Sequence, residues 1–300
     1  MIVDKSVDGA TNSFEGSTDA DEEIALDLQV LASIVPSAKL VVYFAQNTTA
    51  SLAAAIHAAV FDDVNRPNIL SISWGSAEKF WTESARAAVQ AALADAVRLK
   101  MTVTAASGDF LATGGLSDQK AHVFFPAASP YVLSCGGSAV TVAGGAITAE
   151  IAWKDGSTGT GGGISDTFPV PEYQRALTLP PSANDGGIRR GVPDVAAAAA
   201  RFPGYRIFVG GNPVITDGTS AVAPLWAAIV AIANTRMGAP MGFINPSLYA
   251  NSNLFRAIVR GDNRVNSIGY SAGPGWNACT GLGSPHAKDI IDALLQPTVS

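Results

Sequence analysis

The sequence predicts an α/β fold with a mostly parallel central sheet flanked by helices. Helix-like and strand-like segments alternate along the first half of the chain, which is typical of parallel sheets. The strand-like segments end in turns rich in Ser, Gly or Asp, and such sheets bind ligands beyond the carboxyl ends of their strands. With 300 residues, the chain suits one large domain better than several small ones.

Seven elements justify this fold class in the first half. In chain order they are a helix over Glu22–Val35 that Pro36 ends, the strand "AKLVVYFAQ", a helix over Ser51–Val60, the strand "NILSISWG", a helix over Glu83–Lys100, the strand "MTVTAASGD" and a short strand within "FPAASPYVLSCGG". We expect "AKLVVYFAQ" to be a buried strand because it is almost continuously apolar.

The second half begins with a segment rich in Gly, Ser, Thr and Pro, between Ala143 and Pro203. Such a composition is common in interdomain linkers. Because aromatic residues flank its most Gly-rich part, we expect a loop-rich surface region instead. After it, the sequence predicts a hairpin around Gly210-Gly211, a Gly-Thr-Ser turn and a long apolar helix.

Composition excludes several classes of function. The chain is 48% hydrophobic and 15% charged, which is typical of a folded protein. Its net charge of −6 and its lack of Lys/Arg clusters argue against a nucleic-acid partner. Apolar runs such as Ala223–Ala233 are too short to span a membrane. We expect a monomer, and the sequence does not decide whether Cys135 and Cys279 pair or are buried thiols.

Ser220, in "DGTSAVAP", is the first candidate for chemistry. It lies where a Gly-containing turn leads into an apolar helix, so helix N–H groups would face charge that develops beside its hydroxyl. The alternative is a simple N-cap serine, because cap residues are frequent at this position. The motif is not Gly-x-Ser-x-Gly, which disfavours a lipase-type nucleophile.

A serine nucleophile needs a base, and the three histidines are poor candidates for it. His57 lies within a helix, and His122 and His286 lack the Gly- and Asp-rich motifs that orient a catalytic imidazole. A carboxylate base is then required. Glu23 and Asp27 are one helical turn apart in "DEEIALDLQV", where like charges are mildly destabilising. Their alternative interpretation is a solvated helix face.

Several segments together resemble one family. "EEIALD", "ASGD" and "DGTSAVAP" look like the sedolisin family of serine-carboxyl peptidases, and the kumamolisins most of all. Other segments follow in the family's order, including "VDGATN", "SISWGSAE", "GGGIS", "RGVPDVAA", "INPSLY" and "AGPGWNACTGLGSP". The resemblance covers nearly the whole chain and implies a subtilisin-like three-layer fold, peptide hydrolysis at acid pH, and a Ser-Glu-Asp triad.

Carried over position by position, the resemblance implies four catalytic roles. Ser220 is the nucleophile and Glu23 the general base, and Asp27 orients Glu23 and shares its proton. Asp109, in "SGDF", would be protonated and donate a hydrogen bond to the tetrahedral intermediate; its alternative interpretation is a turn residue. Two neighbouring carboxyls cannot both ionise easily, so one pKa rises. A carboxylate base works in acid, where an imidazole would be protonated.

The resemblance also implies where the substrate binds. Ser73, Trp74 and Gly75 would lie at an edge that pairs with the substrate backbone as an added strand. Trp74 would lie near the carboxyl pair, or simply in the core. Gly162 and Gly163 would line the other side of the cleft, where glycine allows a peptide to approach closely.

The family's calcium site is degraded in this sequence. The resemblance implies two Asp ligands, at positions where this chain has Ala257 and Asn277, and backbone ligands at Ile258, Gly273 and Gly275. Ca²⁺ prefers anionic oxygen ligands, and two are absent. We therefore expect Ca²⁺ binding to be lost or very weak.

The chain reads as a single peptidase domain over residues 1–300, beginning only a few residues before "VDGATN". Relatives carry further elements there and an inhibitory pro-domain, and this sequence shows neither. We therefore expect either an internal part of a longer gene product or a truncated relative. The family is secreted, whereas "MIVDKSVDGA" has no signal peptide. An endopeptidase acting on polypeptides is the first interpretation. The alternatives are an inactive peptide-binding relative and a tripeptidyl exopeptidase.

Overall fold

The computed structural model describes residues 1–14, 16 and 18–296. Its α-helices are α1 (Asp19–Ile34), α2 (Thr49–Val60), α3 (Glu83–Arg98), α4 (Val222–Met237), α5 (Asn245–Ala250) and α6 (Ala287–Leu294). Its 3-10 helices are Glu78–Phe80, Glu172–Gln174, Thr219–Ala221 and Ser252–Leu254. The predicted helices are confirmed, and α1 begins three residues before its predicted start, since Thr18 and Asp21 form a capping box there.

Short strands connect these helices. They are β1 (Ile2–Ser6), β2 (Leu40–Phe44), β3 (Ile69–Ile72), β4 (Ser76–Ala77), β5 (Thr102–Ala106), β6 (Phe124–Phe125), β7 (Leu133–Ala143), β8 (Ala146–Ala152), β9 (Lys154–Asp155), β10 (Thr158–Gly159), β11 (Gly163–Ile164), β12 (Gly191–Val192), β13 (Val195–Ala198), β14 (Tyr205–Val209), β15 (Asn212–Thr216), β16 (Phe255–Arg256) and β17 (Ser284–Pro285). The predicted hairpin is β14–β15, turning at Gly210-Gly211.

The main sheet is mostly parallel, as the sequence predicts. Its strand order is β13-β7-β5-β3, all parallel, and β8 extends it by pairing antiparallel with β7. Helix α4 lies on one face, against β3, β5 and β7, while α2 and α3 pack together and α3 contacts β5. Separate apolar clusters fill the α4 side and the α2–α3 side. The result is the expected three-layer arrangement.

A second, two-stranded sheet holds the amino terminus. β1 and β2 pair in parallel, with Ile2 opposite Leu40 and Ser6 opposite Phe44. β2 was expected to be buried, but all five of its residues are only half-buried. The reason is a slot of about 530 Å³ that separates β2 from β3.

The Gly-rich segment between Ala143 and Pro203 is loop-rich, but the prediction that it lies at the surface is wrong for its central parts. Residues 159–165 and 190–197 are buried. Within the second stretch, Arg190 and Asp194 form a fully buried ion pair. Inside the molecule, Asp194 accepts hydrogen bonds from Arg190, Asn245 and Tyr249, which offset the cost of burying its charge.

The stretch Thr219–Met237 is long and apolar enough to cross a membrane by length and composition. Most of it is buried within the fold, where Trp226 and Val230 are fully inaccessible. The stretch is apolar on nearly every face because α4 is a helix of the protein core.

Candidate active site

Ser220 lies on the tight turn between β15 and α4. Gly218 precedes it with φ of +126°, a backbone conformation that L side chains rarely adopt. A Cβ at Gly218 would lie 2.8 Å from Oδ2 of Asp109. Ser220 itself is 5% exposed, and α4 begins two residues later. The turn therefore needs glycine both for its conformation and for the approach of Asp109.

Asp109 follows β5, and the same turn holds its side chain. Thr219 donates two hydrogen bonds to Oδ1 of Asp109, from its backbone nitrogen at 2.8 Å and its hydroxyl at 2.6 Å. Burial raises the pKa of Asp109 above its ordinary value, although the Thr219 bonds act in the opposite direction. Because Thr219 and Ser220 are neighbours in one three-residue turn, these bonds attach the Asp109 side chain to the turn that carries Ser220.

Helix α1 supplies the two other carboxyl groups. Leu26 and Val30 of α1 are buried in a small cluster with Ile207, Val209 and Ala221, which fixes the helix against the β14–β15 hairpin and the Ser220 turn. Glu23 and Asp27 lie one turn apart and face Ser220 and Ser73. The apolar residues around the acidic pair are therefore what holds it in place.

The surroundings of Glu23 favour its protonated form. Burial raises its pKa to about 7, with a further contribution from the charge of Asp109. The hydroxyls of Ser220 and Ser73 lower that pKa by favouring the charged form. Its Oε1 is buried and, among the described residues, has no hydrogen-bond partner. That oxygen can therefore still accept a hydrogen bond.

Asp27 is held by Ser73. The Ser73 hydroxyl donates to Oδ1 of Asp27 at 2.7 Å, and it also lies 3.3 Å from the carbonyl oxygen of Ser220. Burial, and then the charge of Glu23, raise the pKa of Asp27 well above its ordinary value. The two carboxyls titrate together, so the pair holds a proton more strongly than either alone in water.

The expected substrate edge begins where β3 ends. Ser73 contacts the catalytic candidates, while Trp74 borders the same cavity as Asp27. Gly75 is exposed, and a Cβ there would lie 2.9 Å from the carbonyl oxygen of Phe125. Glycine at this position is thus required by the neighbouring strand, and it leaves the edge open to solvent.

Gly162 and Gly163 are buried and closely packed. A Cβ at Gly162 would lie 2.3 Å from the carbonyl oxygen of Ala278, and one at Gly163 would lie 3.1 Å from the Tyr270 ring. Internal packing therefore accounts for both glycines. Their part in binding a peptide stays a prediction.

The histidines have other surroundings. His57 is exposed on α2 and contacts the Phe61 ring, and His122 bonds to Asp118, which also pairs with Lys79. His286 caps α6. The two cysteines are buried free thiols, which answers the question that the sequence left open.

The residues at the degraded calcium site do not fit a hard cation. The Nδ2 amide of Asn277 donates to the carbonyl oxygens of Ile258, at 3.2 Å, and Gly273, at 3.3 Å. Its Oδ1 accepts from the backbone nitrogens of Cys279 and Thr280, which fixes the orientation of the amide. Ala257 is exposed and offers only backbone, and no cluster of metal-ligating side chains occurs within residues 1–14, 16 and 18–296.

Two residues near the site were not singled out from the sequence. Thr219 is next to Ser220 in the same motif, and that adjacency was the available signal. Glu78 is buried, accepts from the Ser165 hydroxyl at 2.6 Å and from the Asp166 backbone at 3.0 Å, and has a pKa raised to about 7, mainly by burial. It joins the segment after Gly75 to the segment after Gly163. Nothing local in "SAEKF" indicates this contact.

Comparison with known proteins finds relatives over nearly the whole chain. The chain is 47% identical to kumamolisin from Bacillus sp. (strain MN-32) over 302 residues, which covers 98% of this chain and 55% of that protein. It is 34% identical to human tripeptidyl-peptidase 1 over 256 residues, covering 77% of this chain and 44% of that protein. The chain thus spans about half the length of these relatives. No family model matches it.

The fold also matches a solved structure. Pseudomonas sedolisin, a serine-carboxyl proteinase solved with two molecules of pseudo-iodotyrostatin, aligns with a TM-score of 0.80. The two chains are 24% identical, and the alignment covers 97% of this chain and 83% of the other. This likeness confirms the α/β subtilisin-like fold. Together with the kumamolisin identity, it establishes that the chain belongs to the sedolisin family of serine-carboxyl peptidases and is similar to the kumamolisins within it.

Proposed function

We propose that the chain is an acid-active serine-type endopeptidase with Ser220 as nucleophile. The observation that carries the proposal is the convergence of Ser220, Glu23 and Asp109 on one turn, with both carboxyl pKa values raised by burial. A hydroxyl beside an open carboxylate acceptor and a neutral acid is the set of groups that acyl transfer requires in acid.

The first step is attack on the peptide carbonyl. The Ser220 Oγ forms a bond to the carbonyl carbon while its proton moves to Glu23. Asp27 holds the proton that the two carboxyl groups share. The hydrogen bond from Ser73 fixes the Asp27 carboxyl group, which in turn orients Glu23. The carbonyl oxygen becomes an oxyanion. A neutral Asp109 stabilises it by donating a hydrogen bond, since a carboxylate could only repel it.

The second step releases the amine. Glu23 returns the proton to the leaving nitrogen, the C–N bond breaks, and an acyl ester remains on Ser220. Water then attacks that ester with Glu23 again taking the proton, and Ser220 regains its hydroxyl as the acid product leaves. Glu23 thus works alternately as base and acid, which is possible because the Glu23–Asp27 pair keeps one proton and can accept or return a second.

The two carboxyl sites limit the proposed activity at opposite ends of the pH range. The Glu23–Asp27 pair must lose one proton to act as base, which produces the acid limb of the profile. Asp109 must keep its proton to donate, so activity falls as pH rises through its raised pKa. We expect a bell-shaped profile within the acidic range, with its alkaline limb abolished in Asp109→Asn, which donates at every pH.

The deciding experiment is hydrolysis of an unfolded protein between about pH 3 and pH 7, the range that the carboxyl groups govern. Ser220→Ala should abolish cleavage, and Glu23→Gln should lower kcat by at least about a hundredfold, as removal of a general base does. Ser252→Ala, which changes an exposed serine, is the matched control. Absence of cleavage by the unmutated chain over the whole range contradicts the proposal.

Product analysis separates the alternatives. Internal cleavage of the unfolded protein supports an endopeptidase, whereas release of amino-terminal tripeptides alone identifies an exopeptidase, the activity named for human tripeptidyl-peptidase 1. Peptide binding without turnover identifies an inactive relative. We further propose an acidic extracellular location, because the base is effective there, and Ca²⁺ binding that is absent or very weak, because Asn277 supplies hydrogen-bond donors where a cation would need anionic oxygen.

A further inference from the structure

Glu78 is a buried carboxyl group that the proposed mechanism does not use. It begins the 3-10 helix Glu78–Phe80, and the residue is 5% exposed. Its Oε1 accepts from the Ser165 hydroxyl at 2.6 Å, and its Oε2 accepts from the backbone nitrogen of Asp166 at 3.0 Å. These partners are 87 and 88 residues away along the chain. The Glu78 side chain thus joins two distant segments.

The first of these segments leads directly from the candidate active site. It begins at Ser73, whose hydroxyl donates to Asp27 and lies 3.3 Å from the carbonyl oxygen of Ser220. It continues through β4, which pairs with β6 over two residues, and the backbone nitrogen of Glu78 then donates to the carbonyl oxygen of Val123. The far end of this edge is therefore held by a short strand pairing and by the Glu78 side chain.

The second segment passes beside Asp109. The backbone nitrogen of Gly159 donates to the carbonyl oxygen of Asp109 at 2.8 Å, and that of Gly161 donates to the carbonyl oxygen of Gly108 at 2.7 Å. The chain then continues through β11 to Ser165. Both segments that meet at the buried carboxyl group therefore also contact candidate catalytic residues.

The hydrogen bonds around Ser165 require a carboxyl group at position 78. The Ser165 hydroxyl oxygen accepts from the backbone nitrogens of Thr167, at 3.0 Å, and Phe168, at 2.9 Å. Both of its lone pairs are then used, so its proton must be donated to Glu78. The backbone of Asp166 is a second donor. A carboxyl group accepts from both donors in either charge state, because a protonated oxygen can still accept, whereas a glutamine amide has only one acceptor atom.

We propose that Glu78 is a positioning residue for substrate binding. By joining the two segments, it fixes the distance between the Ser73 edge, which would pair with the substrate backbone, and the Gly162–Gly163 segment on the other side of the cleft. The inference rests on the proposed peptidase function, which makes these segments the two walls of the cleft. Glu78 acts through these walls and not on the reacting atoms, so its loss weakens peptide binding and leaves proton transfer at Ser220 nearly unchanged.

Glu78→Gln tests this role in the full chain, with oxidised insulin B chain as an unfolded substrate. We expect KM to rise at least about fivefold and kcat to change by less than about twofold, because binding is weakened and the chemical step is not. The pH limits of kcat should stay where they are in the unmutated chain. Ser165→Ala should also raise KM, and the double variant should show less than the sum of the two effects, since both changes break the same hydrogen bond.

Glu150→Gln is the matched control for general destabilisation. Glu150 is another buried carboxyl group, with a side chain that is 4% exposed. It also accepts from two serine hydroxyls, those of Ser138 at 2.6 Å and Ser284 at 2.8 Å, which belong to β7 and β17. Its replacement should lower Tm, as that of Glu78 does, and should leave KM within about twofold, because it joins neither wall of the cleft.

Peptide binding by inactive variants separates this inference from the proposed function. Calorimetry compares the binding of insulin B chain to Ser220→Ala and to the double variant Ser220→Ala/Glu78→Gln, and we expect at least about fivefold weaker binding to the second. If this difference is found but the unmutated chain does not cleave, the proposed hydrolysis fails and the positioning role stands.

Four results would overturn the positioning role. They are equal affinity of the two inactive variants, absence of binding to both, an unchanged KM in Glu78→Gln, and an equal rise of KM in Glu150→Gln. The last result would show that any loss of a buried carboxyl group disturbs the cleft.

Discussion

At the scale of single residues, Asn277 lies where the resemblance implies a cation ligand, and its amide donates hydrogen bonds instead. Its amide nitrogen bridges two carbonyl oxygens that come from Ile258 and Gly273, while its amide oxygen is held by backbone donors. A carboxylate at this position would still accept hydrogen bonds from the backbone donors. It would repel the carbonyl oxygens of Ile258 and Gly273, to which the amide now donates. Only a cation could then relieve that repulsion.

Asn277→Asp should therefore make stability depend on calcium. In a chelator we expect a lower Tm, corresponding to about 1–3 kcal/mol for the lost hydrogen bonds, and recovery in millimolar Ca²⁺. The unmutated chain should show the same Tm in both solutions. Thermal unfolding with and without Ca²⁺ measures this, and calorimetry that finds micromolar or tighter Ca²⁺ affinity in the unmutated chain would contradict it.

Glu78 provides a second test at a single residue. Its pKa rises from 4.5 to about 7 on folding, so the folded chain binds more protons than the unfolded chain between these values. Stability should fall as pH rises through this window and level off above it. Glu78→Gln should remove that contribution and reduce the slope of unfolding free energy against pH by up to about 1.4 kcal/mol per unit.

Urea unfolding at pH 4, 5, 6 and 7 is the measurement, with the difference between the two proteins isolating Glu78 from Glu23, Asp27 and Asp109. Equal slopes in both proteins would show that Glu78 is not responsible. The effect is invisible in the sequence, because the burial of Glu78 depends on Ser165 and Asp166, more than eighty residues away along the chain.

At the scale of elements, the buried pair Arg190–Asp194 joins β13 to its surroundings. Asp194 accepts two bonds from Arg190 and one each from Tyr249, Asn245 and the backbone of Ser134. These contacts tie the start of β13 to β7 and α5. Replacing one partner alone would leave the other charge buried without compensation.

Asp194→Ala should lower the unfolding free energy by about 3–5 kcal/mol, the usual cost of breaking a buried ion pair. Asp292→Ala breaks the exposed pairs with Lys288 and Arg236 and should cost less than about 1 kcal/mol. Chemical denaturation of both variants provides the comparison. Similar losses in the two proteins would contradict a structural role for the buried pair.

Some elements could be predicted from the sequence and others could not. Helices α1 and α4 were predictable because capping residues and apolar periodicity are local. The inward course of residues 159–165 was not, because the contacts that bury Gly162, with Ala278 and Val192, involve distant parts of the chain. The one-turn spacing of Glu23 and Asp27 was visible, but their distance from Ser220 depends on how α1 packs.

At the scale of the whole molecule, the separation of β1–β2 from the main sheet should affect dynamics. β2 is half-buried and has a neighbour on one edge only, while β5 is fully buried between β3 and β7. Regions with few buried contacts open at lower free energy than the core. The gap between β2 and β3 could not be predicted from local patterns, since strand pairing is a long-range property.

Hydrogen exchange followed by mass spectrometry should find β2 amides exchanging at least about tenfold faster than β5 amides, a difference of about 1.4 kcal/mol in opening free energy. Because both strands are five residues long, they form a matched comparison. Equal protection of the two strands would show that the two sheets open as one unit.

The contact between Thr219 and Asp109 has a consequence for stereochemistry. Both Thr219 donors point at Oδ1, so that oxygen already receives two hydrogens and the proton of a neutral Asp109 resides on Oδ2. Oδ2 is the oxygen beside Gly218. The turn therefore selects which of two equivalent oxygens is the donor. In the proposed mechanism, a substrate would direct its carbonyl oxygen to that side, which would leave one of its two faces for attack by Ser220.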